Sequence, residues 1–110
     1  CVHGVVPEKI LSNKDLEKMV DTNDEWIRSR TGIEERRYAK NHYNASDLAF
    51  FAAENAIEDS KIDRETLDYI IFAHNFGDVK SAAIQSDILP SLATRVKYRL
   101  GIENPNCFHR

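Results

Sequence analysis

Apolar and polar positions alternate along this chain with a period that changes repeatedly, and each change marks an element. Cys1 to Val6 is mostly apolar and β-branched and predicts a strand, ended by Pro7, which has no amide to give to a ladder. Ser12 with Asp15 three residues on predicts a capped helix to about Val20, whose Leu16, Met19 and Val20 form a narrow apolar stripe suited to the core. Thr22 and Glu25 have the spacing of a capping box, so a second, short helix is predicted to start at Thr22. It runs only to about Arg30, because Thr31 and Ile33 continue a helix poorly and Gly32 suits a left-handed cap. Ile33 to Ala39 carries Glu34, Glu35, Arg36 and Arg37, so a strand there is short or near an edge, and a loop follows through Lys40 to Ala45.

Ser46 to Ser60 predicts a helix of a different kind. Leu48, Ala49, Phe50, Phe51, Ala52, Ala53, Ala56 and Ile57 go nearly all the way round it, which predicts burial on more than one side. Asp63 to Asp68 is a polar turn, and Tyr69 to Ala73 is a continuous apolar run of the sort that fills a parallel strand buried on both faces. His74 to Asp78 forms the loop at its carboxyl end, where open α/β sheets bind ligands. Leu89, Leu92, Ala93, Val96 and Leu100 repeat with helical period, Pro90 is placed for a first turn and Gly101 for a stop. Asn104-Pro105-Asn106 turns the chain into a further strand at Cys107-Phe108. The order strand, two short helices, strand, helix, strand, helix, strand predicts an α/β protein with a mixed, largely parallel sheet and right-handed crossovers.

Composition narrows the function. The 110 residues are 42% hydrophobic and 30% charged, which fits one soluble globular domain at most. A net charge of −3, with basic residues interspersed among acids, gives no reason to expect nucleic acid. No apolar run approaches membrane-spanning length and no signal peptide is visible, so a cytoplasmic setting and no membrane partner are expected. Cys1 and Cys107 do not make a disulfide framework, His3, His42, His74 and His109 are scattered, and no metal-ligand spacing occurs. The chain opens on a cysteine and both ends fall inside predicted strands, so it reads as a piece of a longer protein.

The candidate chemistry lies on the second helix. Thr22, Trp26 and Arg30 stand at i, i+4 and i+8, which gathers a hydroxyl, an indole and a guanidinium on one face. Such a face can hold a nucleotide, with the indole as stacking platform, the threonine as hydrogen-bonding group and Arg30 as phosphate contact. The plainer alternative makes Trp26 a core or interface anchor, and Thr22 is under competing demand as a cap. His74 and Asn75 are the other tempting pair.

Val6-Pro7-Glu8-Lys9-Ile10-Leu11-Ser12-Asn13, Asp15-Leu16-Glu17-Lys18-Met19-Val20-Asp21-Thr22, Asp24-Glu25-Trp26-Ile27 and Arg30-Thr31-Gly32-Ile33 together resemble the opening segment of the β-ketoacyl-acyl carrier protein synthase III family. The resemblance implies the amino-terminal part of a thiolase-like layered αβαβα fold, with residues 1–110 a partial domain. It implies a parent enzyme that condenses an acyl-coenzyme A with malonyl-acyl carrier protein in fatty acid synthesis, as a homodimer, with coenzyme A thioester as substrate and no permanent cofactor. Carried over, Trp26 stacks on adenine, Thr22 hydrogen-bonds it, and Arg30 contacts the nucleotide end. The family's catalytic histidine and asparagine come later than His74 and Asn75, and its nucleophile later than Cys107. The piece is therefore expected to hold no catalytic residue, to be inactive alone, and to use Cys107 structurally.

Three departures from the family pattern bear on this. His3 with Gly4 replaces a more glycine-rich approach to Pro7, Val79 to Asp87 differs from the usual loop and leaves the acyl substrate open, and His109-Arg110 replaces apolar and acidic residues. A sister condensing enzyme making a resorcinol or quinolone is the alternative within enzymes. A non-catalytic α/β interaction module using Trp26 as anchor is the alternative outside them.

Overall fold

In the computed structural model, which describes residues 2–39, 43–75, 77–79, 86–87 and 91–110, the chain falls into two units, Val6–Lys40 and Cys1–Val5 with Asn41–Arg110. The predicted start at Cys1, the Lys40–His42 part of the predicted loop, Phe76, most of the Val79 to Asp87 loop, Leu89 and Pro90 lie outside the described residues.

The Val6–Lys40 unit is a hairpin enclosing two helices. β1 (Lys9–Ser12) pairs antiparallel with β2 (Glu35–Tyr38), Lys9 opposite Tyr38 and Ser12 opposite Glu35. The strand expected at Cys1 to Val6 is thus displaced past Pro7: residues 2–7 have no strand partner among the described residues, and Val2 and Val6 are exposed. β-Branched residues favour extended backbone, but a strand forms only where a partner meets it. α1 (Asn13–Glu17) starts as its sequence predicts, Ser12 and Asp15 closing a capping box. The Ser12 amide and then its hydroxyl donate to Asp15 and hold that carboxyl below the usual aspartate range. The helix ends at Glu17, short of Val20, and Met19 and Val20 are exposed (67% and 58%), not core residues. The amides of both still bond to the Leu16 carbonyl, so a closing turn carries them away from the apolar side.

In the other unit α3 (Ala45–Ser60) and α4 (Leu92–Arg99) pack together over a parallel pair of strands, β3 (Tyr69–Ile70) and β6 (Phe108–His109). β4 (Asp78–Val79) and β5 (Ser86–Asp87) make a short antiparallel ladder. The sheet component is mixed, as expected, but it consists of three two-stranded pairs among the described residues. The core joins Ile57, Val96, Leu100, Ile102 and Cys107, with Phe50, Ala53, Leu67, Ile70 and Phe72 against it. Leu92, Ala93, Val96 and Leu100 are all buried, as their spacing predicts, and Ser91 caps their helix.

Two further burial expectations change. Along the run from Tyr69, Ile70 and Phe72 are half-buried against the core while Tyr69, Ile71 and Ala73 are exposed, so one face of this strand is open rather than both being covered. Successive side chains alternate between the two faces, and among the described residues the core packs on the Ile70 and Phe72 face alone. On α3 only Ser46 and Ile57 are fully buried, and its apolar girdle from Leu48 to Ala56 is half-buried.

Candidate functional site

α2 (Asp24–Thr31) carries the predicted site, and its cap lies one residue beyond the one read from the sequence. Asn23, not Thr22, is the cap: its backbone is extended and its Oδ1 accepts from the Trp26 amide at 2.7 Å. Asparagine is the better cap because its short carbonyl reaches the third amide, and the register it sets moves Glu25 out of the reciprocal position, so the Thr22–Glu25 box does not form. The competing demand on Thr22 thereby disappears. Among the described residues its hydroxyl makes no hydrogen bond, while its amide bonds to the Val20 carbonyl. At the other end Gly32 adopts the left-handed cap (φ 71°), as expected, and its amide bonds to Arg28.

Trp26 is 55% exposed, while its neighbour Ile27 is buried, so α2 turns an aliphatic residue inward and leaves the indole on the surface. Asp21, Thr22, Asn23 and Trp26 line an open cleft of about 210 Å³. That is smaller than the roughly 300 to 1,000 Å³ of a pocket for a whole drug-sized ligand, so it suits one end of a longer molecule. The Arg30 guanidinium lies 5.8 Å from the centre of the indole, a cation–π distance, one helical turn beyond the ring. The structure therefore brings Thr22 to Trp26 through the cleft and Arg30 to Trp26 through the ring. Arg30 does not itself line the cleft.

The backbone carrying the indole is held by a residue that periodicity does not reveal. Asn13 is 1% exposed, and its amide nitrogen donates to Asp24 Oδ1 at 2.8 Å and to the Ile33 carbonyl at 2.7 Å. Its Oδ1 accepts from Arg36 at 2.7 Å, and its backbone amide donates to the Glu34 carbonyl at 3.0 Å. One side chain thus ties the first residue of α2 to the segment just after its last turn. Its partners are 11 to 23 residues away, beyond the reach of any local pattern. Asn13→Leu should lower stability by about 2 kcal/mol, since Arg36 and Asp24 each lose a charge-assisted bond, and urea unfolding of the variant measures it.

The other candidates carry less. His74 and Asn75 are exposed, and His74 packs edge-on against Phe72 with ring centres 5.4 Å apart. His3 pairs with Asp59 at 3.2 Å. Cys107 is 1% exposed in the core, and its carbonyl accepts from Lys97 Nζ at 2.7 Å. A thiol sealed among apolar side chains has neither the access nor the activation of a nucleophile. Among the described residues no group of three or more His, Cys, Asp or Glu is placed to hold a metal, and no helix is long and apolar enough to cross a membrane.

No family model matches the chain. Over 99 residues it is 46% identical to the β-ketoacyl-[acyl-carrier-protein] synthase III of Geobacillus kaustophilus, an alignment covering 90% of this chain and 29% of that protein. The crystal structure of 3-oxoacyl-[acyl-carrier-protein] synthase III from Aquifex aeolicus superposes with a TM-score of 0.76 at 36% identity, over 99% of this chain and 33% of that one. The priming β-ketosynthase of a polyketide biosynthetic pathway superposes with a TM-score of 0.75 at 26% identity, over 99% and 30%. The chain spans about three-tenths of the length of the curated relatives it matches. Within that span, its sequence and its α/β fold match the corresponding part of β-ketoacyl-acyl carrier protein synthase III enzymes.

Proposed function

We propose that the protein carrying this chain is an acyltransferase that makes a β-ketoacyl thioester by decarboxylative Claisen condensation of an acyl-coenzyme A with malonyl-acyl carrier protein. In this reading Trp26 stacks on the adenine, Thr22 hydrogen-bonds it, and Arg30 contacts the nucleotide end of the cofactor. The observation that carries it is the half-exposed indole at an open cleft beside an unbonded threonine hydroxyl, with a guanidinium at its ring. A core anchor would be sealed. Coenzyme A is a long molecule, and a cleft of this size takes its base alone.

The acyl-carrying cysteine and the histidine and asparagine that assist condensation are placed outside these residues, so residues 1–110 alone are inactive. The protein works as a cytoplasmic homodimer, with acyl carrier protein as its second partner. The similarity to a polyketide priming ketosynthase favours, as a second reading, a sister enzyme of secondary metabolism with another acyl substrate. Condensation assays of the protein carrying this chain, with malonyl-acyl carrier protein and acetyl- or longer acyl-coenzyme A, decide between them. Acetyl preference supports the first reading and a preference for a longer acyl group the second. Absence of any condensation product would leave Trp26 as an interaction anchor.

A further inference from the structure

We propose that Glu17 is a positioning residue for coenzyme A, holding the connection between α1 and α2 in the shape that forms the cleft; this rests on the coenzyme A reading above. Glu17 is the last residue of α1, and its Oε1 accepts the amide of Asp24, the first residue of α2, at 2.7 Å. One bond thus spans the mouth of the connection, residues 18–23, of which Asp21, Thr22 and Asn23 line the cleft with Trp26. The connection has little else to hold it. Met19 and Val20 are exposed, so no apolar side chain anchors it, and among the described residues no side chain from 18 to 22 makes a hydrogen bond or ion pair. The far end of the bond is itself fixed, because the Asp24 carboxylate accepts from the buried Asn13 at 2.8 Å.

Asp24 opens α2, so its amide is among those that the first turn of a helix leaves without a partner inside it. A carboxylate there gains from charge assistance and from the helix dipole, and Asn23, the cap, has committed its oxygen to the Trp26 amide. Glu17 lies outside the cleft lining, and its effect runs through the connection to Thr22 and Asn23. Without the bond the connection gains conformations that do not form the cleft, and a ligand has to order it on binding, which lowers affinity. Only a ligand that reaches the cleft feels this loss. Acyl-pantetheine, which carries the reacting group without the nucleotide, does not.

Acetyl-coenzyme A and acetyl-pantetheine are titrated against the protein carrying this chain and against its Glu17→Ala and Glu17→Gln variants. Glu17 is exposed, so neither change opens a cavity. Glu17→Ala should weaken acetyl-coenzyme A binding on the order of fivefold and acetyl-pantetheine binding about twofold or less. Glu17→Gln, which keeps an acceptor oxygen for the Asp24 amide, should bind acetyl-coenzyme A within about twofold of the unmodified protein. Unchanged acetyl-coenzyme A affinity in Glu17→Ala, an equal loss for both ligands, or a Glu17→Gln variant as weak as Glu17→Ala overturns the proposal. If Trp26→Ala still weakens acetyl-coenzyme A binding in that case, only the role of Glu17 falls; if Trp26→Ala has no effect either, the coenzyme A reading falls with it.

Discussion

Trp26→Ala should weaken acyl-coenzyme A binding by roughly 1 to 3 kcal/mol, on the order of 5- to 150-fold in Kd, the range for loss of one base-stacking platform. The loss follows from geometry, since the indole is the one aromatic ring lining the cleft and more than half of it is open to an incoming base. An acyl-pantetheine thioester, which carries the same reacting group without the nucleotide, should bind the variant and the unmodified protein equally. That control separates a stacking role from a general disturbance of the site. Stability should fall little, because Ile27 and not Trp26 supplies the buried contact of α2 and the cap uses the backbone amide at position 26 rather than its ring. Isothermal titration with both ligands reads the effect. Equal loss for both, or no loss for either, would refute adenine stacking.

The second large effect concerns stability. Asp78→Ala should destabilise the protein carrying this chain by about 3 kcal/mol, the lower end of the cost of breaking a buried charged pair. Asp78 is 3% exposed, and its carboxylate accepts from the Ser46 amide at 2.9 Å, the Ser46 hydroxyl at 2.6 Å and Arg95 at 2.8 Å. One aspartate in β4 therefore ties the first turn of α3 to α4. The figure sits at the lower end because Arg95 keeps some contact with solvent.

The same group gives stability a pH dependence of known sign. Burial pushes the Asp78 carboxyl up, but the bonds from Ser46 and Arg95 outweigh it and hold the folded value below the ordinary 3.8. A depressed folded value means the unfolded chain binds the proton more readily. The Asp78 contribution is therefore complete above the unfolded value and is lost as pH falls through the folded one. The stability difference between the unmodified protein and Asp78→Asn, measured by urea unfolding, should be flat from neutral pH to about 5 and shrink below about 4. A difference that stays constant down to pH 2.5 would mean that the carboxylate is not preferentially ionised in the folded protein.

Local chemistry was enough to fix much of this chain. Ser12 and Asp15 announce the first cap, Gly32 the stop of α2, and the period of Leu92, Ala93, Val96 and Leu100 the buried face of α4. The placing of Arg30 at the Trp26 ring was legible for the same reason, since residues four apart on one helical stretch are neighbours, whereas Thr22 lies before the cap of α2 and reaches the cleft without helical spacing. Choice between adjacent residues was less secure: Thr22 reads as the cap from its spacing to Glu25, and its neighbour Asn23, the stronger capping residue, took the place.

Contacts that cross the sequence were left to tertiary structure. It decided that Met19 and Val20 face water, that one side of the Tyr69 strand stays open, and that the strand expected before Pro7 forms after it, opposite Glu35 to Tyr38. It also decided that Asn13 and Asp78 are the polar hinges of their units, through partners as many as 23 and 32 residues away. The division has one physical cause. Caps, turns and helical faces are settled by groups within a few residues of each other, which sequence order already places together, whereas burial, strand pairing and polar clamps depend on which distant segment arrives, and only the folded chain supplies it.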